Sequence, residues 1–145
     1  MKAITIKQPW ATLIMLGEKR FETRGWQTKY RGELAIHAGK QVDRDACLEP
    51  EIKAALVRNG ILSISMLPTG SVIGTVTLKD CIRSAETWTD GYILENGELV
   101  YSPEYDFGDF TPGRFAWELA NVKQLPEPVP AKGKLSLWNW EGETG

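Results

Sequence analysis

The chain has 145 residues, 42% of them hydrophobic and 25% charged, and carries a formal net charge of −2. That length suits one domain burying about 70% of its unfolded surface, and no run approaches the ~20 apolar residues of a membrane-spanning helix. One histidine and two cysteines, Cys47 and Cys81, leave no ligand set at zinc spacing, so neither a metal nor a cofactor is expected and both thiols are expected as small core hydrophobes.

In chain order, Ala3-Ile4-Thr5-Ile6 alternates as a short strand. Pro9 suits a first helical turn, and Trp10, Leu13 and Ile14 at i, i+3, i+4 predict a helix over 9–16 that stops at Gly17. The apolar run 11–16 is led in by Pro9 and ends in Gly17-Glu18-Lys19-Arg20 without a small-residue cleavage site, so no export leader and a cytoplasmic location are expected. Residues 21–26 read as extended, with Glu22, Arg24 and Trp26 on one face. A strand over 33–38 follows, then a helix from Asp43 to Asn59-Gly60 that Pro50 can divide. Residues 71–82 are rich in Val, Ile and Thr and read as a strong strand.

Residues 84–112 read as an irregular acidic excursion, with a hairpin signal at Asn96-Gly97; seven acids and no base lie between Glu86 and Asp109. A strand over 114–122, a rigid connector carrying Pro126, Pro128 and Pro130, and a last strand over 135–140 complete the chain. Residues 1–60 hold 11 Lys/Arg against 7 Asp/Glu, a balance of +4, whereas 61–145 hold 6 against 12, a balance of −6. A basic half can form an electrostatic footprint within a mildly acidic protein, and uneven surface charge is the plainer alternative. Strands and helices that do not alternate as βαβ units predict an α+β fold, a single domain over 1–145 with the excursion at 84–112.

Gly17-Glu18-Lys19-Arg20-Phe21-Glu22-Thr23-Arg24 matches G-x-K-x-x-E-x-R, the motif of the ASCH family, whose fold resembles PUA domains. Further blocks resemble the family in order: residues 6–11, 31–38, 70–74, Gly113-Arg114-Phe115-Ala116-Trp117, 128–133 and Leu137-Trp138. The resemblance implies a PUA-like mixed β-barrel of about five to six strands with two or three flanking helices, and a cleft beside the first helix lined by the motif. It also implies RNA-related or nucleic-acid-binding roles. Some small relatives resemble hydrolases of acetylated cytidine, and others are described as nucleases. The hydrolase-like relatives carry a threonine where this chain has Glu22, and a carboxylate cannot supply that hydroxyl.

The residue chemistry agrees with a polar site. Lys19 is a compact cation able to meet a phosphate or polarise a carbonyl. Glu22 can accept a proton or bind a base amino group, and Arg24 offers a planar fork for phosphate, carboxylate or a base edge. A surface ion pair worth ~0–1 kcal/mol is the alternative that spacing alone leaves open. Lys7, Gln8 and Trp10 form a second group at the strand-to-helix corner: phosphate contact, base readout, and stacking worth ~1–3 kcal/mol or a place in the core. His37, the lone histidine, is a candidate general base or a hydrogen-bonded structural residue, with Lys40 close behind it.

Two functions follow. One is a binding module for RNA or single-stranded nucleic acid, with Lys7, Lys19, Arg24 and Lys40 on phosphates. The other is a small hydrolase on a modified nucleoside, or a ribonuclease-like enzyme, using Lys19 and a carboxylate such as Glu22 or Glu86.

Overall fold

The N-terminal alternation becomes strand β1 (Lys2–Gln8), and the apolar stripe behind Pro9 becomes helix α1 (Trp10–Met15), ended by Gly17 at φ +76°. A computed structural model of the protein describes residues 1–142. Beyond α1 come β2 (Phe21–Arg24), β3 (Gly32–Val42), α2 (Pro50–Arg58), β4 (Ser71–Trp88), β5 (Gly91–Leu94), β6 (Leu99–Val100), β7 (Phe115–Pro130) and β8 (Trp138–Asn139). Short 3-10 turns occupy Ala46–Leu48, Ile64–Met66 and Glu104–Phe107. The helix expected from Asp43 is divided at Pro50, which takes the first turn of α2, where a missing N–H breaks no helical bond.

The strands pair in the order β2-β7-β4-β3-β1-β8, with β5 added to β4 and β6 to β5. β1 and β3 run parallel and every other pair is antiparallel. Among the described residues the result is a mostly-sheet α+β fold with two α-helices and an open mixed sheet of eight strands. This corrects the expectation of a barrel of five to six strands. The strands at the two ends of the path, β2 and β8, are four and two residues long and do not pair with each other, so the sheet stays open.

Two strands also run further than their patterns indicated. β4 continues six residues past Ile82 to Trp88, where it turns through 89–90 and pairs with β5; β5 in turn pairs with β6 across a second turn at Asn96-Gly97. β7 absorbs Pro126, Pro128 and Pro130, which were expected in a connector. β2 covers β7 only from Phe115 to Glu118, so the later residues of β7 have β4 on one side alone. Prolines two residues apart place their missing N–H groups on the same side of a strand, and an uncovered edge is where a sheet tolerates them.

The main core lies between the sheet and α1. Ile4, Leu34, Ile36, Val76, Leu78 and Trp117 pack with Ala11, Ile14 and Met15. Leu13, on the other side of α1, packs with Ile52, Ala55 and Leu56 of α2 and with Phe107. Phe110 joins Phe21, Ile82, Leu94 and Val100 in a further cluster. Phe107 and Phe110 are 0% and 1% exposed, so the acidic segment is seated in the core at two points and forms a wall of the molecule. Cys47 and Cys81 are buried and unpaired.

The approach of α1 to the sheet depends on Gly74 of β4. A Cβ there would lie 2.2 Å from Met15 Sδ and 2.6 Å from the Lys123 carbonyl oxygen. The backbone oxygen cannot swing away, so Gly74→Ala is expected to cost ~1–3 kcal/mol as an overpacked site. A urea midpoint equal to that of the parent would show that both Met15 and the β7 backbone at Lys123 give way without cost.

Candidate functional site

β1, the head of α1, the loop into β2, and the 104–109 segment enclose a cleft of about 630 Å³. Short-range order sets its floor. Gly17 turns the chain back from α1, which carries Lys19 inward, and β2 then lays Phe21 into the core while presenting the polar residues that follow. Lys19 is 2% exposed. Its Nζ donates to the Phe107 carbonyl and lies 3.6 Å from Glu22 Oε1. Arg24 Nε donates to Glu22 Oε2 at 2.9 Å, and Nη2 lies 2.8 Å from the same oxygen while donating to the Thr5 carbonyl at 3.0 Å. Glu22 is thus held between two cations at the edge of β2, and Arg24 ties that strand across to β1.

Burial holds Lys19 below the ordinary lysine pKa, against the opposing influence of the Glu22 and Glu104 charges. The same effect raises the thiols of Cys47 and Cys81, which makes neither a ready thiolate nucleophile. Asp109 is pulled below the usual carboxylate range, chiefly by the hydrogen bond from the Thr111 hydroxyl and with help from the Arg114 charge. Among the described residues, no group of three or more His, Cys, Asp or Glu could hold a metal ion, and no helix is long and apolar enough to cross a membrane.

Of the eight residues singled out from the sequence, Lys7, Trp10, Lys19, Glu22 and Arg24 line this cleft. His37 and Lys40 line an adjoining cavity that Lys7 and Arg24 also border. Gln8 lines neither. It is fully buried, its Nε2 donating to the Pro68 carbonyl (2.8 Å) and its Oε1 accepting from the Thr12 N–H (3.0 Å), so its amide fixes the start of α1 and is not free for a base. His37 is 2% exposed and bonded at both nitrogens: Nε2 lies 2.7 Å from the Ala131 carbonyl, to which it donates, and Nδ1 lies 3.1 Å from the Thr5 hydroxyl. That is the geometry of a structural brace and leaves no lone pair aimed at the cleft. Glu86 sits opposite Ile93 in the β4–β5 pair and borders neither cavity.

Several cleft residues escaped the sequence reading. Thr5 and Thr23 supply hydroxyls, and Asp106, Phe107, Gly108 and Asp109 form the facing wall, with Glu49 and Arg114 at its ends. The wall is pinned closely: the Asp109 N–H donates to Thr23 Oγ1 at 3.0 Å, and a Cβ on Gly108 would lie 2.9 Å from that oxygen. Glu104 accepts from the Arg20 N–H with both oxygens at 3.1 Å. The available signal was Phe107 and Phe110, two phenylalanines inside the acidic stretch. Around the completed cleft, Lys7, Lys19, Arg24 and Arg114 stand against Glu22, Glu49, Asp106 and Asp109, four cations against four carboxylates.

The family model of the ASCH domain matches residues 4–129. The chain is similar to activating signal cointegrator 1 of Mus musculus (25% identity over 143 residues) and of Homo sapiens (24%), in each case over 97% of this chain and 22% of the relative. It therefore spans about a fifth of the length of those curated relatives. The crystal structure of ASCH from Zymomonas mobilis resembles it with a TM-score of 0.52 at 15% identity, covering 97% of this chain and 87% of that one, a likeness of fold. On the match across residues 4–129, the chain belongs to the ASCH domain family.

Proposed function

We propose that the protein binds single-stranded nucleic acid, RNA in particular, by taking one nucleobase into the cleft. The observation that carries this reading is the balanced ring of four cations and four carboxylates around a space of about 630 Å³, within the ~300–1,000 Å³ of small-ligand sites. A base edge carries both donors and acceptors, so a pocket that recognises one needs both. Glu22 can accept from an exocyclic amino group, Lys19 and Arg24 can donate to carbonyl or ring-nitrogen acceptors, and Trp10 borders the same space with a flat face for stacking. A pocket for a bare phosphate would have no use for four carboxylates. ASCH membership adds the family's association with RNA.

Anisotropy titrations of labelled single-stranded oligoribonucleotides test the reading. Binding should weaken linearly in log salt, with a slope of about −0.7 per phosphate contact on a single strand, and Glu22→Gln should weaken it at every salt concentration. No binding to any oligonucleotide at low salt would remove the proposal. Hydrolysis of a modified nucleoside is the second reading, favoured by one observation: a buried lysine held below its ordinary pKa beside a carboxylate. Its departure from the hydrolase-like pattern at Glu22 sets it behind binding.

A further inference from the structure

Beside the cleft lies a second cavity of about 480 Å³, divided from it by Thr5, Lys7 and Arg24, which border both. The charge around the two is different in kind. Lys7, Arg24, Lys40, Lys132 and Lys134 border the second cavity, and among the described residues no carboxylate does. Arg24 is paired with Glu22 on the cleft side, whereas Lys7, Lys40, Lys132 and Lys134 have no ion-pair partner among the described residues, four uncompensated lysines in a chain of net charge −2. Nor is the cavity a loose surface fold. Its floor is the braced His37, and the Thr5 hydroxyl that pairs with His37 also accepts from Trp138 Nε1 at 3.2 Å. The strap over 131–136 is tied to the β3–β4 side by the Ala131 N–H, which donates to the Gly70 carbonyl at 3.1 Å. Gly133 lies so near that a Cβ there would sit 2.7 Å from both His37 Cε1 and Thr5 Oγ1.

We propose that this second cavity is a phosphate subsite, which receives the backbone phosphates flanking the nucleotide whose base enters the cleft. The proposal rests on the base-binding reading of the cleft. Glu49, Asp106 and Asp109 repel phosphate from the outer cleft, so a strand that inserts a base must carry its phosphates over the opposite wall, where only cations stand. Lys7 and Arg24, shared by the two cavities, mark the crossing point from sugar to phosphate. Lysines on exposed stems suit this task, since they meet phosphate as point charges without reading sequence. The phosphate can be an internal diester or a terminal monoester, and the chemistry that binds it is the same.

The test uses the whole chain with Lys40, Lys132 and Lys134 replaced together by alanine, all three being exposed. It is titrated with one short labelled oligoribonucleotide in two forms, with a 5′-phosphate and with a 5′-hydroxyl. Loss of three contacts should reduce the salt slope by about 2 and weaken low-salt affinity by about tenfold or more. An equal loss for both forms identifies an internal diester; a loss confined to the phosphorylated form identifies a terminal phosphate. If the triple variant keeps the parental slope and affinity while Glu22→Gln still weakens binding, the subsite is wrong and the cleft reading stands. If the lysines matter and Glu22→Gln does not, the phosphate subsite stands and the cleft is not its base pocket. A parent protein that binds neither form overturns both.

Discussion

Lys19→Met is expected to weaken oligoribonucleotide binding about ten- to hundredfold, the loss of one charge-assisted hydrogen bond of ~1.5–3 kcal/mol, with little change in stability near neutral pH. Two effects on stability oppose each other. The Phe107 carbonyl loses its donor, a penalty of ~1–3 kcal/mol, while the methionine removes an ammonium whose burial is unfavourable enough to lower its pKa. Their sum changes with pH, and the sign follows from proton counting. In the folded protein Lys19 releases its proton below the ordinary lysine value of ~10.4. Between the folded pKa and that value the unfolded chain binds more protons, so Lys19 makes stability rise with pH by about 1.4 kcal/mol per unit across the window. Below the window the charged form carries its full desolvation cost. Urea midpoints of parent and variant measured across neutral to alkaline pH should therefore diverge, the parent gaining on Lys19→Met as pH rises. Parallel profiles would show that Lys19 is not held below its ordinary pKa.

The same variant separates the two functional readings. Burial lowers the Lys19 pKa and makes its ammonium the readier to give up a proton, so acetylated cytidine should be turned over by the parent and not by Lys19→Met if the site is hydrolytic with Lys19 as its base. Turnover indifferent to Lys19 would remove it from the chemistry. Binding without turnover in the parent leaves the nucleic-acid reading alone.

What could be read from the sequence was whatever is encoded within a few residues. Trp10, Leu13 and Ile14 announce α1 because helical spacing is local, and Gly17 announces its end because a left-handed residue favours glycine. Lys19, Glu22 and Arg24 are similarly local, lying on one loop and one four-residue strand. The opposite wall is not. Asp106 and Asp109 reach the cleft from more than 80 positions away, and Lys132 and Lys134 reach the neighbouring cavity from still further. Periodicity holds no record of such encounters. Gln8 shows the reverse error: a polar residue beside motif residues reads as a ligand contact, whereas its amide serves the Thr12 N–H and the Pro68 carbonyl inside the core. The prolines of β7 misled because the usual rule against proline in strands assumes pairing on both sides, and that edge is uncovered after Glu118.

Glu104→Ala is expected to release the acidic wall from the motif loop, and the comparison with Arg20→Ala shows which contact matters. Both Glu104 oxygens accept from the Arg20 N–H, and Oε1 also lies 3.2 Å from Arg20 Nε. The Arg20 side chain is 62% exposed, so its ion pair contributes only ~0–1 kcal/mol. The part-buried backbone N–H, by contrast, loses both oxygens of a buried carboxylate, a hydrogen bond to a charged group worth ~1.5–3 kcal/mol. Arg20→Ala should therefore be nearly silent and Glu104→Ala should not. The damage should also be local before it is global. Phe107, three residues on, supplies the carbonyl that holds Lys19, so hydrogen exchange should quicken first across 104–109 and at Arg20, and ligand affinity should fall by more than the change in global stability. Loss of the Glu104 charge also removes one of the influences that raise the Lys19 pKa, which extends the stability window of Lys19 to lower pH at its lower edge. Equal effects of Arg20→Ala and Glu104→Ala would instead assign the latch to the exposed ion pair, and unchanged exchange across 104–109 would mean that Phe107 and Phe110 hold the wall without it.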